Sequence, residues 1–152
     1  MLPPETGQTA GQLDYRVFTI KRRGLGRDVP PGCESLMWVS NSATLIYGKG
    51  DAVLVDTFPT IDHGVELADQ IAASGKNLTY IYVTHGHGDH FFGINMLKHR
   101  FPNLRAVAPA SVVDRIDNRL AADMQLLRGR CPGQIPDDPG TPESLDGASM
   151  QD

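Results

Sequence analysis

The middle of the chain alternates between strand-forming and helix-forming segments, and this alternation limits the folds that the chain can adopt. Four apolar residues recur at spacings of four, three and four positions, the periodicity of an amphipathic helix: Ile61, Val65, Ala68 and Ala72. A continuous apolar run at 80–83 follows, and such a run is typical of a strand covered on both faces. Strands on either side of a helix predict a β-α-β unit and therefore the α/β fold class.

Shorter segments on both sides extend this pattern. Before the unit, β-prone runs at 13–20, 36–39, 43–47 and 52–55 predict an antiparallel meander, and the turn at 48–51 carries the glycines of a tight hairpin. After it we predict a helix at 91–100, a strand at 105–108, and a helix from Ser111 in which Ser111 and Asp114 form a capping box. The expected organisation is a disordered leader at 1–12, one domain at 13–128 and an irregular Pro- and Gly-rich tail at 129–152.

The charge balance and the cysteine pattern exclude several kinds of protein. With 14 Lys and Arg against 18 Asp and Glu, the net charge is −4, so no overall positive field favours nucleic acid or an anionic membrane. No apolar run approaches the roughly 20 residues of a membrane-spanning helix, and no secretory signal pattern is present. The two cysteines, Cys33 and Cys131, form no C-x-x-C motif. We expect a cytoplasmic protein without a membrane partner.

A cluster of metal-ligand side chains directly follows the apolar run. Residues 84–90 read Thr-His-Gly-His-Gly-Asp-His, which places His85, His87, Asp89 and His90 within six positions. Open α/β sheets bind ligands at the carboxyl ends of their strands, where this cluster lies. Imidazole nitrogen and carboxylate oxygen suit zinc, and iron or manganese is also compatible. The alternative is a solvated histidine-rich loop, but crowded imidazoles repel one another unless a metal or a carboxylate organises them.

This motif resembles the signature of the metallo-β-lactamase-fold hydrolases. The order of segments is also similar to the N-terminal part of that family: the runs at 42–47 and 52–57, the helix, the strand and then the motif. The resemblance covers roughly residues 13–125. It implies the N-terminal half of a metallo-β-lactamase-like four-layer αβ/βα sandwich, which is a mixed sheet with flanking helices.

The resemblance also implies roles for individual residues. His85 and His87 would help to hold one zinc ion, and Asp89 and His90 a second, with a metal-bound hydroxide as the nucleophile. Asp89 would also orient that water as the catalytic carboxylate, and Asp56 would support the metal loop through hydrogen bonds. The implied reaction is hydrolysis of a small-molecule ester, thioester, lactone, amide or phosphoester. The residues that contact the substrate remain unknown.

The number of ligands departs from the family pattern. A catalytic zinc ion usually has three protein ligands, and the family supplies more from its C-terminal half, but no histidine follows His99 here. We therefore expect an incomplete form with weak or no activity, and a sheet face that is free for self-association. One alternative is a noncatalytic metal-binding or interaction fragment. The other is a nucleic-acid-processing protein, which rests on the basic residues Lys21, Arg22, Arg23 and Arg27 and on the nucleases that the resembled family includes.

Overall fold

The structure is a computed structural model that describes residues 1–8, 13–24 and 29–145. Its strands are β1 (Glu5–Gln8), β2 (Asp14–Arg23), β3 (Trp38–Tyr47), β4 (Asp51–Val55), β5 (Asn77–Tyr82), β6 (Arg105–Ala108) and β7 (Glu143–Ser144). Its helices are α1 (Ile61–Ala73), α2 (Gly88–Phe91), α3 (Ile94–Arg100) and α4 (Ala110–Arg130), and a 3₁₀ turn at Glu34–Met37 precedes β3. In the part of the chain that the structure describes, every helix is too short or too polar to cross a bilayer.

The strands form a single mixed sheet in which they lie in chain order. Strands β1 to β4 pair antiparallel, and β4 to β7 pair parallel. Helix α1 connects the parallel neighbours β4 and β5, which makes the β-α-β unit that the apolar periodicity predicts. The predicted mixed α/β class, with an antiparallel meander before the parallel strands, is confirmed.

One face of the sheet is buried beneath the helices. Leu45, Leu54, Ile81 and Ala106 lie side by side on four neighbouring strands, and all four are fully buried. The helices contribute further buried residues to the same core: Leu67, Ile71, Ile94 and Leu97. Burial of one such large apolar side chain contributes about 1.5–3 kcal/mol, so this row and the helices above it hold the sheet in place.

The opposite face of the sheet is only partly covered. Tyr15 on β2 pairs with Ile46 on β3, and their side chains are 37% and 38% exposed. Tyr80 and Tyr82 of β5 point to this face and are half-buried, whereas Ile81 is inaccessible. The expectation that β5 is covered on both faces is therefore wrong: its apolar run has one face in the core and one partly open face.

The ends of the described chain are more ordered than their composition predicts. The expected disordered leader is wrong at Glu5–Gln8, which pair with β2, while residues 9–12 lie outside the described residues. Helix α4 continues to Arg130, past the predicted domain boundary at 128. The tail is largely irregular, but Ile135 is buried in the core and β7 pairs with β6; residues 146–152 lie outside the described residues.

Three element boundaries also differ from the sequence-based predictions. The runs predicted at 36–39 and 43–47 are a 3₁₀ turn followed by the single strand β3. The helix predicted at 91–100 is divided at Gly93 into α2 and α3. Helix α4 begins after Pro109 without a side-chain cap, so the predicted capping box at Ser111 is wrong.

Candidate metal centre

The predicted ligands lie in the loop that follows β5 and in the short helix α2, at the carboxyl end of the parallel strands. Asp56 ends the neighbouring strand β4, and its backbone N–H donates to the carbonyl of Tyr82 over 2.9 Å. Since parallel neighbours end at the same edge of a sheet, Asp56 and the motif loop meet there. The structure therefore brings together all five residues that the sequence singles out: Asp56, His85, His87, Asp89 and His90.

The first pair of ligand candidates is His85 and His87. Nε2 of His85 and Nδ1 of His87 lie 2.9 Å apart, and the His85 ring also lies against that of His90. Burial and the neighbouring charges of His90 and His87 lower the pKa of His85 below its usual value. At neutral pH His85 is therefore an uncharged imidazole, the form that binds a metal.

The second pair is Asp89 and His90. Nε2 of His90 lies 3.8 Å from Oδ2 of Asp89, and that oxygen accepts hydrogen bonds from Arg22 and Asn41, each at 2.8 Å. Burial acts to raise the pKa of Asp89, but the hydrogen bond from Asn41 and the charges of His90 and Arg22 together hold it below its ordinary value. Asp89 is therefore an ionised carboxylate at neutral pH.

Asp56 fixes the orientation of the motif loop and of His90. Its Oδ1 accepts the backbone N–H of Thr84 over 2.8 Å, and its Oδ2 contacts the Thr84 hydroxyl at 2.6 Å and Nδ1 of His90 at 2.8 Å. The backbone of Asp56 is left-handed, with φ of 61°, a strained conformation for a residue other than glycine. With Nδ1–H donating to this carboxylate, Nε2 of His90 keeps its lone pair, as in metal-binding histidines.

These residues fit zinc in the kind of donor they supply. Imidazole nitrogens and a carboxylate are ordinary zinc ligands, and the carboxylate on the far side of His90 matches the usual support of a histidine ligand. They form two neighbouring pairs, and among the residues that the structure describes no three His, Cys, Asp or Glu side chains converge on one ion. The donors therefore fit zinc in type and fall short in number for either ion alone.

Arg115 contacts the first pair, a contact that the sequence does not indicate. Its Nη2 lies 2.7 Å from Nε2 of His87, and its stem packs over Gly86, where an added Cβ would lie 3.1 Å from Cγ of Arg115. A guanidinium only donates, so Nε2 of His87 accepts here and Nδ1 carries the proton toward His85. Whichever nitrogen of His87 binds a metal, this contact must first be released.

Asp123 and Asn41 are further functional candidates that sequence reasoning missed, and Arg22, which the sequence offers only as a basic residue for nucleic acid, contacts Asp89 instead. Asp123 on α4 is buried and accepts the backbone N–H of Gly88 in the motif at 3.2 Å. A signal for Arg22 and Asn41 exists in the sequence: they occupy core-facing positions in β2 and β3, in step with Phe18 and Ala43. A polar residue at such a position needs a partner.

A cavity of about 270 Å³ adjoins the second pair of ligand candidates. Its walls combine apolar and charged side chains from β2, the motif and α4: Arg22, His87, Asp89, Asp123, Leu127 and Arg130. The remaining histidines lie elsewhere, since His63 contacts Thr60 at the start of α1 and His99 is exposed on α3. Among the histidines, all of which the structure describes, only His87 of the motif lines this cavity, which is wide enough for a small molecule.

The chain was compared with known protein families, proteins and solved structures. The sequence model of the metallo-beta-lactamase superfamily matches residues 36–150. An atrochrysone carboxyl ACP thioesterase of Pseudocercospora fijiensis is 38% identical over 96 residues, which are 62% of this chain and 26% of that protein.

Among solved structures, the DIM-1 metallo-beta-lactamase shares the fold with a TM-score of 0.57 and 20% identity, over 77% of this chain and 48% of that one. The FIM-1 enzyme of Pseudomonas aeruginosa, solved in a mono-zinc form, has a TM-score of 0.52 and 14% identity over 77% and 46% of the two chains. The chain thus spans about a quarter of the curated relative and about half of the solved ones. The match to the family model over most of the chain shows that it belongs to the metallo-beta-lactamase superfamily.

Proposed function

We propose that this chain supplies one wall of a zinc-dependent hydrolase centre, with His85, His87, Asp89 and His90 as its metal ligands. The observation that carries the proposal is the pairing of donors at the end of β5: His85 faces His87 at 2.9 Å, and His90 faces Asp89 at 3.8 Å. Membership of the superfamily and the fold shared with metallo-beta-lactamases support a hydrolase.

Each residue has a defined part in the proposed chemistry. His85 and His87 would bind through ring nitrogens once Arg115 releases His87, and Asp56 keeps the proton of His90 on Nδ1 so that Nε2 is free. Zinc, when bound, supplies a Lewis acid that polarises the scissile carbonyl and lowers the pKa of water toward 7. Asp89, ionised at neutral pH, accepts a hydrogen bond from the attacking water and orients it. No side-chain nucleophile is required.

The candidate substrates are a small ester, thioester, lactone, amide or phosphoester, and among these we favour a thioester. The support is the 38% identity to a protein named as an ACP thioesterase, which covers 62% of this chain. The cavity beside Asp89, lined by Leu127 and Arg130 of α4, offers an apolar contact to an acyl group and a hydrogen-bond donor to its carbonyl oxygen.

The test combines metal content with turnover. Zinc bound to the purified chain is measured by elemental mass spectrometry, and hydrolysis of a small thioester is followed by release of its thiol. We expect the original chain to bind zinc. The variant His85→Ala/His87→Ala should lose this zinc and, with it, any thioester hydrolysis. His63→Ala is the matched control, because His63 lies outside the motif and contacts Thr60. Zinc that binds equally to the double variant would refute the proposed ligands.

The second candidate is a noncatalytic module that binds metal or a partner. Two observations favour it: no three ligand side chains converge among the described residues, and Tyr15 and Ile46 are exposed on the partly covered sheet face. Such a face favours self-association. Zinc binding without thioester turnover, together with a dimer in light scattering, would support this candidate over the hydrolase. Turnover by a monomer would exclude it.

A further inference from the structure

Three polar side chains form a closed set of hydrogen bonds beside the second ligand pair. Nε of Arg22 donates to Oδ1 of Asn41 over 2.6 Å, and Nη2 of Arg22 donates to Oδ2 of Asp89 over 2.8 Å. The amide Nδ2 of Asn41 donates to the same Asp89 oxygen, also over 2.8 Å. The oxygen of Asn41 accepts from Arg22 while its nitrogen donates to Asp89, so each member fixes the orientation of the other two.

This set joins the sheet to the motif. Arg22 and Asn41 project from the paired strands β2 and β3, whereas Asp89 belongs to the short helix α2, so that 67 and 48 positions separate the partners. Asn41 is buried, and the side chains of Arg22 and Asp89 are 11% and 20% exposed. Because paired strands form a rigid support, the sheet fixes the place of the Asp89 carboxylate.

Arg22 occupies a position where burial of a charged side chain costs stability. Its alternation with Phe18 and Ile20 turns it toward the helices, a position that a strand ordinarily gives to an apolar residue. Its Nη1 is buried and has no hydrogen-bond partner among the described residues. An unsatisfied buried N–H is destabilising. Residues that break a packing rule in this way are concentrated at functional sites.

The geometry points to a role in the proposed reaction. We propose that Arg22 and Asn41 are positioning residues that hold the Asp89 carboxylate beside Nε2 of His90, so that the carboxylate and this nitrogen are presented together to a metal ion. The inference rests on the proposed function, because it assigns Asp89 and His90 as one ligand pair. Arginine suits this role since its planar fork bonds Asn41 and Asp89 at once, which a lysine ammonium on its flexible stem does not reproduce.

The experiment measures the affinity of the chain for zinc by competition with a chelator, and the visible spectrum of the chain loaded with cobalt. Arg22→Gln removes the charge and the planar guanidinium that bonds Asn41 and Asp89 together. Arg22→Lys keeps the charge but not the planar guanidinium. Asn41→Leu removes the amide and leaves a side chain of similar size. We expect each to weaken zinc binding by about 10- to 100-fold, the usual effect of losing a partner that orients a ligand, and to alter the cobalt spectrum. Arg23→Gln, the same change at the exposed neighbour, leaves both unchanged.

The outcomes separate this inference from the proposed function. If Asp89→Asn binds zinc as tightly as the original chain, the proposed ligand set fails. If Asp89→Asn is weakened but the Arg22 and Asn41 variants bind normally, only the positioning role fails. If Arg22→Lys restores full affinity, charge alone is sufficient and the positioning role is again refuted. Urea unfolding midpoints measured without metal identify any variant that does not fold. If Arg22→Gln does not fold, the zinc affinities of Arg22→Lys and Asn41→Leu test the positioning role.

Discussion

Replacement of Asp56 separates its contribution to folding from its contribution to metal binding. Its carboxylate is buried and accepts three hydrogen bonds, two from Thr84 and one from His90. Asp56→Ala leaves these donors without their partner and places alanine at φ of 61°, so we expect the free energy of unfolding to fall by about 3 kcal/mol, the upper end of the cost of leaving a buried donor unsatisfied.

Asp56→Asn is the more informative variant. Asparagine tolerates the left-handed backbone, and its Oδ1 still accepts the N–H of Thr84. Its Nδ2 replaces the oxygen that contacts Nδ1 of His90, so a charge-assisted hydrogen bond is lost, and we expect the free energy of unfolding to fall by about 1–2 kcal/mol. To accept from Nδ2, the His90 ring must carry its proton on Nε2, the atom proposed to bind metal.

Zinc affinity should therefore fall although the chain stays folded. We expect Asp56→Asn to bind zinc about 10- to 100-fold more weakly, as measured by chelator competition, which corresponds to about 1.4–2.8 kcal/mol and is similar in size to the loss of stability that urea denaturation without metal should show. Asp51→Asn, at the exposed start of the same strand, is the control and should change neither quantity beyond its contact with Asn77. Normal zinc affinity in Asp56→Asn would refute the assigned tautomer of His90.

Three further predictions concern other parts of the structure. In Gly88→Ala the new Cβ would lie 2.5 Å from the Phe92 ring, so we expect a loss of about 1–3 kcal/mol in urea denaturation, and an unchanged midpoint would contradict this packing. Burial and the N-terminal charge lower the pKa of His63 from 6.5, so the folded state loses stability as the pH falls below 6.5, where the unfolded chain binds a proton more readily. Thermal melts of His63→Gln should therefore show a smaller loss of melting temperature on acidification. A loss as large as that of the original chain would disprove this. Arg115→Ala releases His87 and should strengthen zinc binding in chelator competition, whereas weaker binding would mean that Arg115 supports the centre.

The sequence predicts those parts of the fold that depend on local pattern. The strand at 105–108 and the helix that begins at Ile61 have the predicted starts, because apolar spacing and flanking glycine are local properties. The buried position of Ile135 is not local: its segment is rich in proline and glycine, and packing against the core overrides that composition.

In the candidate centre, too, the sequence predicts what is local and misses what depends on long-range packing. His85, His87, Asp89 and His90 are adjacent in the chain, so their grouping is visible in the sequence. Their supports are distant, since Arg22 precedes Asp89 by 67 positions and Asp123 follows Gly88 by 35. Only the pairing of β2 with β3 and the return of α4 over the motif bring such residues together.

The order of the strands has a consequence for how the centre is assembled. Each strand after the first pairs with the one made just before it, so no pairing waits for a later segment. Short separations between partners close with little loss of chain entropy and favour rapid folding, which proceeds from the N-terminus during synthesis. Strands β2 and β3, which carry Arg22 and Asn41, thus find their pairing partners among segments that all precede Asp89 in the chain. The support of the motif therefore depends on strand pairings that do not require the motif itself.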